Sequence, residues 1–100
     1  MKYGVVIVAY HSFERVVNYL RNELPKLGDE AVIAVVNNAA TAEESTALAI
    51  ACQAYQVDGT EKRLPENQRI FLLHFEENLG YGKGNNRGAF FLIHNFNVQF

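Results

Sequence analysis

Three short apolar runs, rich in β-branched residues, most narrowly constrain the fold of this 100-residue chain. They cover residues 5–10, 31–36 and 70–75, and helix-forming or polar segments separate them. Continuous apolar runs of this length are typical of parallel strands that are covered on both faces of a sheet. The chain is therefore predicted to be an α/β protein.

The segment after the first run predicts a helix. Ser12 offers an N-cap, and apolar residues follow it at helical spacing until Pro25, which is disfavoured inside a helix. The first helix is therefore predicted over residues 13–24.

Two further helices are predicted from the same kinds of signal. Thr41 and Glu44 form a capping-box pattern ahead of the alanine-rich residues 42–55, the second predicted helix. Residues 58–68 are polar and contain glycine and proline, which indicates an exposed loop. The third helix is predicted from residue 89 onward.

The order strand, helix, strand, helix, strand, helix predicts right-handed crossovers and one three-layer, Rossmann-like parallel sheet. A single domain over residues 1–100 fits this length. Ligands of such sheets bind outside the carboxyl ends of the strands.

A glycine- and asparagine-rich segment, residues 78–88, joins the third predicted strand to the third predicted helix. Glycine allows close backbone approach to a phosphate or base, and the following helix offers free N–H groups to an anion. A plain loop explains the composition equally. The segment is not a P-loop, because Lys83 is followed by Gly84 and Asn85, and its glycine spacing and position also differ from the dinucleotide fingerprint.

Residues after the three predicted strands are expected to share one sheet edge. They offer uncharged hydrogen-bonding groups, an aromatic ring and glycine, which suit a base, ribose and diphosphate. Taken alone, Tyr10 also fits a boundary aromatic residue, and Asn37 and Asn38 fit a turn. The three histidines are scattered along the chain, so no metal site is predicted.

Charge and composition exclude other classes of function. The formal net charge of -2 does not favour nucleic acid as a partner. Cys52 is the only cysteine, which excludes an internal disulfide and predicts a small apolar core residue. The first apolar run is too short for a membrane span and no cleavage site follows it, so the cytoplasm is the predicted compartment.

Residues 5–11, 34–41 and 78–88 together resemble the N-terminal half of a family 2 glycosyltransferase. These are inverting nucleotide-sugar enzymes with a GT-A fold. The last segment resembles the family's Asn-x-Gly-x-x-x-Gly-Asn-x-Gly pattern and is the most specific match. It is particularly similar to enzymes that add rhamnose and related sugars to bacterial surface polysaccharides.

The resemblance implies a nucleotide-binding role for the strand ends. Ala9 and Tyr10 would line the base with His11 at its border, while Asn37 replaces the family's usual base-contacting aspartate and Ala40 its usual serine. The glycines would form the turn beside the nucleotide. The predicted nucleotide-binding residues are Ala9, Tyr10, His11, Asn37, Asn38, Gly80, Gly82, Lys83, Gly84 and Asn86.

The implied donor is a uridine- or thymidine-type nucleotide-diphosphate sugar, and the implied acceptor is a glycan. The family's Asp-x-Asp metal motif is absent from this sequence, and the catalytic base would lie further on. The expectation is therefore a fragment without catalytic or metal-binding residues, which does not turn over. A magnesium or manganese ion is implied for the full-length parent only. A non-catalytic α/β nucleotide-binding module and a protein-interaction module remain the alternatives.

Phenylalanine and other apolar residues crowd the last dozen positions of the chain. They are Phe90, Phe91, Leu92, Ile93, Phe96, Val98 and Phe100. Exposed apolar surface of this kind favours association, so self-association through this segment is predicted.

Overall fold

A computed structural model of the protein describes residues 2–100. Within them the chain forms, in order, β1 (Lys2–Tyr10), α1 (Phe13–Leu27), β2 (Ala31–Asn38), α2 (Ala42–Cys52), β3 (Tyr55–Val57), β4 (Ile70–His74), α3 (Gly80–Asn95) and β5 (Val98–Gln99). These strands form one sheet in the order β3-β4-β2-β1-β5, and all the pairings are parallel. The predicted α/β class is confirmed.

Helices cover both faces of the sheet and give three layers. α1 and α2 pack on one face, where Leu20 and Leu48 belong to the same core cluster as Ile33 of β2. α3 packs on the other face, where Leu92 joins a core with Phe71. β2 lies at the centre of the sheet and is buried along its whole length, as its apolar run predicts. The three-layer, Rossmann-like arrangement is thereby confirmed.

β2 and β4 are neighbours in the sheet, and the helices that follow them lie on opposite faces. β2 is followed by α2 on one face, and β4 is followed by α3 on the other. Such a pair is a topological switch point, where open α/β sheets hold ligands beyond the carboxyl ends. The two loops are also joined. The Ala40 N–H donates to the Phe75 carbonyl at 3.1 Å, and the Phe75 N–H donates to the Asn37 carbonyl at 3.0 Å.

Two helix ends differ from the prediction. α1 continues past Pro25 to Leu27, because a proline in the last turn removes one backbone bond close to an end that is already exposed. α2 stops at Cys52, because Gln53 adopts a left-handed conformation with φ 56° and donates its N–H back to the helix.

The short strands β3 and β5 follow α2 and α3 and were not predicted, since two or three residues carry no readable alternation. Residues 58–68 form neither helix nor strand, which confirms the predicted loop.

The start of α3 is the largest difference, because the helix begins at Gly80 and not at residue 89. A Cβ at Gly84 would lie 3.0 Å from Val8 Cγ1, and one at Gly88 would lie 2.5 Å from Val6 Cγ1. These glycines let the helix sit close to the sheet, and that packing offsets their low helix propensity. The predicted turn over residues 80–88 is therefore wrong.

The C-terminal apolar residues are only partly exposed. Phe91 and Leu92 are buried, and the Phe96 ring lies 5.4 Å from the Phe71 ring between centroids. Phe90 and Ile93 are exposed on α3. The apolar surface that remains free is smaller than the composition implies.

Cys52 is free and buried at the end of α2, where it joins the core between helices and sheet. Burial raises the pKa of its thiol, as expected for a small apolar core residue. No helix within residues 2–100 is long and apolar enough to cross a membrane.

Candidate functional site

The strand register aligns the predicted residues at the carboxyl edge of the sheet. Ala9 pairs with Asn37, which pairs in turn with His74 on the other side. Tyr10 pairs with Asn38 in the next row. Aligned residues of parallel strands point to the same face and successive residues to opposite faces. The predicted site is therefore divided between the two faces of the sheet.

A cavity of about 250 Å³ lies on the face covered by α1 and α2. It is lined by His11, Ser12, Phe13, Asn37, Ala40, Glu44, Ala47 and Leu48. Pockets for whole drug-sized ligands measure roughly 300–1,000 Å³, so this cavity suits one ring of a ligand, such as a nucleobase.

A hydrogen-bonded chain of three side chains lies beneath this cavity. Asn37 Nδ2 donates to Ser45 Oγ at 3.0 Å, and Ser45 Oγ lies 2.6 Å from His74 Nδ1. Asn37 and Ser45 are both buried, and His74 is half-buried at the end of β4. The polar side chains at the carboxyl ends of β2 and β4 are thus linked through Ser45 of α2.

The predicted capping box at the start of α2 is confirmed. Glu44 Oε1 accepts the Thr41 N–H at 2.8 Å, and Thr41 Oγ1 accepts the Glu44 N–H at 3.1 Å. Hydrogen bonding of the carboxylate to the Thr41 backbone N–H first, and to the Thr41 side chain second, lowers the pKa of Glu44. Glu44 Oε2 also lies 3.8 Å from His11 Nδ1, so an acidic group and an imidazole share the rim of the cavity.

Tyr10 and Asn38 occupy the opposite face, toward α3. Tyr10 is 53% exposed, and its ring meets the His11 ring edge-on at a centroid distance of 4.5 Å. Asn38 is only 2% exposed, and its Oδ1 has no hydrogen-bond partner among residues 2–100. Its Nδ2 lies 3.0 Å from where a Cβ at Gly84 would be. Glycine at 84 therefore makes room for the Asn38 amide.

The remaining predicted residues differ in how far they are exposed to a ligand. Ala9 is fully buried in the core, so neither its side chain nor its backbone is exposed to a ligand in this structure. Gly80 has φ +76° and donates its N–H to Asn78 Oδ1 at 2.9 Å, which defines the turn into α3. Gly82, Lys83 and Asn86 are exposed in the first turns of α3.

A larger cavity of about 770 Å³ lies at the amino edge of the sheet, beside Lys2 and Arg69. Its lining comes mainly from the polar loop over residues 62–68. Volume alone favours it, but parallel α/β sheets hold ligands at the other edge, where the loops of the switch point meet. We therefore assign the candidate site to the carboxyl edge.

Sequence reasoning missed Ser45 and His74. The position of Ser45, four residues after the cap Thr41, places it in the first turn of α2, and His74 ends its strand beside Asn37. Aligning the strand ends would have paired Asn37 with His74. The direction of the Ser45 side chain depends on how α2 packs, which no local pattern reveals.

Within residues 2–100 no group of three or more His, Cys, Asp or Glu side chains is arranged to hold a metal ion. The cation implied for a longer parent thus has no ligand set among these residues, and we assign it none. Comparison of the chain with protein-family models, with curated proteins and with solved structures finds no match.

Proposed function

We propose that this chain binds the nucleotide of a nucleotide-diphosphate sugar at the carboxyl edge of its sheet. In this proposal it is the nucleotide-binding part of a cytoplasmic, family 2, GT-A glycosyltransferase that transfers the sugar to a glycan acceptor. We assign no residue of the chain to the transfer step. The nucleotide carries a uracil or thymine base.

One observation supports the proposal most strongly. The three segments that resemble the family are far apart in the sequence, yet all of them reach the same edge of the sheet. Asn37 and Asn38 of the second segment pair with Ala9 and Tyr10 of the first, and Asn38 meets Gly84 of the third. This edge includes the switch point between β2 and β4.

The cavity offers the chemistry that a base needs. Phe13 and Leu48 supply apolar surface, while the Asn37 amide and Glu44 supply polar groups. The ribose and diphosphate then extend across the edge of the sheet toward the first turn of α3. There the exposed Lys83 and the free N–H groups of the helix favour an anion.

A non-catalytic binding or interaction module is the second candidate, and one observation favours it. Close packing against Val6 and Val8 accounts for Gly88 and Gly84 without any ligand. The glycine-rich segment, which is the most specific part of the resemblance, thus has a structural explanation for two of its four glycines.

Calorimetric titration with uridine diphosphate (UDP) and thymidine diphosphate tests the proposal. Binding is expected in the titration. In a separate unfolding measurement, a ligand at about 100 times its Kd should add about 2.7 kcal/mol to the free energy of unfolding. Asn37→Leu replaces the amide with an apolar side chain of the same branching and is expected to weaken binding. Thr46→Ala, an exposed change on α2, is the matched control. Absence of binding by both diphosphates would favour the interaction module.

A further inference from the structure

Ser45 of α2 lies between the side chains of Asn37 and His74, which are paired in the register of β2 and β4. It is 1% exposed, and its Oγ contacts Asn37 Nδ2 on one side and His74 Nδ1 on the other. A serine hydroxyl has one hydrogen to donate and lone pairs to accept. Ser45 can therefore donate to only one of its two neighbours and must accept from the other.

The direction follows from the Asn37 bond. Asn37 Nδ2 donates to Ser45 Oγ, so the Ser45 hydrogen is left for His74 Nδ1 at 2.6 Å. Nδ1 then acts as the acceptor, and the neutral ring carries its hydrogen on Nε2. If Nδ1 carried the hydrogen instead, Ser45 would donate to Asn37 and the amide would be reversed.

The direction determines what the cavity presents to a ligand. One hydrogen of Asn37 Nδ2 is donated to Ser45, which is the hydrogen bond that the described residues make to this side chain. Asn37 also lines the 250 Å³ cavity. The bond to Ser45 thus fixes the orientation of the amide, so its carbonyl oxygen, an acceptor, has a fixed position, and one Nδ2 hydrogen stays unused in that bond.

We propose that Ser45 and His74 are positioning residues, which hold the Asn37 amide with its oxygen available to the cavity and so select a pyrimidine base that carries a hydrogen on N3. The inference rests on the proposed function. Uracil carries a hydrogen on N3, whereas cytosine has a lone pair there. A fixed acceptor placed opposite N3 therefore pairs with uracil and meets a lone pair in cytosine.

The test compares the Kd values of UDP and cytidine diphosphate (CDP) on the full chain. The wild-type protein is expected to bind UDP about tenfold more tightly, the effect of one mismatched hydrogen bond. In Ser45→Ala the amide is free to turn, so the two values should agree within about threefold. Thr46→Ala removes a hydroxyl from the same helix, but from its exposed side, and should leave the ratio unchanged.

Two further variants separate positioning from general loosening of the fold. Ser45→Cys keeps the shape of the side chain but replaces the hydroxyl with a thiol that hydrogen-bonds weakly, and it should also lower the ratio. Asn37→Asp presents only acceptors, so it should retain the preference for UDP. In the Asn37→Asp protein, Ser45→Ala should no longer change the ratio of the two Kd values. A purely structural role for Ser45 would instead weaken UDP and CDP equally, so the ratio would not change in the wild-type background either.

A wild-type ratio near one, or a tenfold ratio that survives in both Ser45→Ala and Ser45→Cys, overturns the positioning role while leaving nucleotide binding intact. Failure of both diphosphates to bind overturns the proposed function and this inference together.

Discussion

Gly88 of α3 lies so close to Val6 of β1 that a Cβ atom at position 88 would be 2.5 Å from Val6 Cγ1. Val36 Cγ2 would be 3.0 Å away, so neither strand leaves room for a methyl group. Gly88→Ala should therefore lower the free energy of unfolding by about 1–3 kcal/mol, as overpacking does. Urea denaturation at equilibrium measures this.

Gly82 provides the matched control for this prediction. It lies in the same helix, and a Cβ there would meet nothing within 4 Å. Gly82→Ala should raise the stability by about 0.5–1 kcal/mol, because alanine loses less backbone entropy in a helix. If both variants changed stability alike, the close approach of α3 to the sheet would be wrong.

The capping box at Thr41 and Glu44 predicts a pH dependence of stability. The folded-state pKa of Glu44 lies below its ordinary value of 4.5. The contribution of the Glu44 carboxylate to the stability of the fold is therefore fully present above the pKa of the unfolded state. It is lost as the pH falls through the lower pKa of the folded state. Glu44→Gln can still accept the Thr41 N–H but does not titrate.

Chemical denaturation from about pH 6 to about pH 3 checks this prediction, since the range spans the ordinary glutamate pKa. The wild-type protein should be more stable than Glu44→Gln at the upper end, because a carboxylate suits a helix N-terminus. The difference should shrink at the lower end. A constant difference across the range would contradict the role of the charged carboxylate.

The exposed side chains of α3 predict self-association. Phe90 is 68% exposed and Ile93 is 61% exposed, one turn apart on the same helix. Sedimentation at high concentration should show a dimer or larger species, and Phe90→Ser with Ile93→Ser should shift it toward monomer. Ile50→Ser changes an equally exposed residue of α2 and should have no such effect. A monomeric wild-type protein would rule out this mode of association.

The three-layer fold could be predicted because β1, β2 and β4 carry continuous apolar runs with helical segments between them. β2 is buried along its whole length, and a run of this kind fits few other environments. The Thr41 and Glu44 cap could be predicted because its hydrogen bonds are local. The beginning of α3 could not, because the sheet, and not the local sequence, makes Gly84 and Gly88 acceptable in a helix.

The sequence predicted which strand ends form the candidate site, but not the face of the sheet to which each side chain points. Parallel pairing brings Asn37 and Asn38 beside β1, as expected from the order of elements. The alternation of side chains then sends the two amides to opposite faces, so Asn37 meets Ser45 and Asn38 meets α3. Ser45 lies in a different element, and its contact depends on the packing of α2.

The most direct test of nucleotide binding at the carboxyl edge is a map of backbone amide shifts during titration with UDP. For a chain of 100 residues, two-dimensional nitrogen–proton spectra report on each amide. We expect the largest changes at His11, Asn37 and Ala40 beside the 250 Å³ cavity and at Gly80 at the start of α3. Changes confined to residues 62–68, at the larger cavity of the amino edge, would contradict the account.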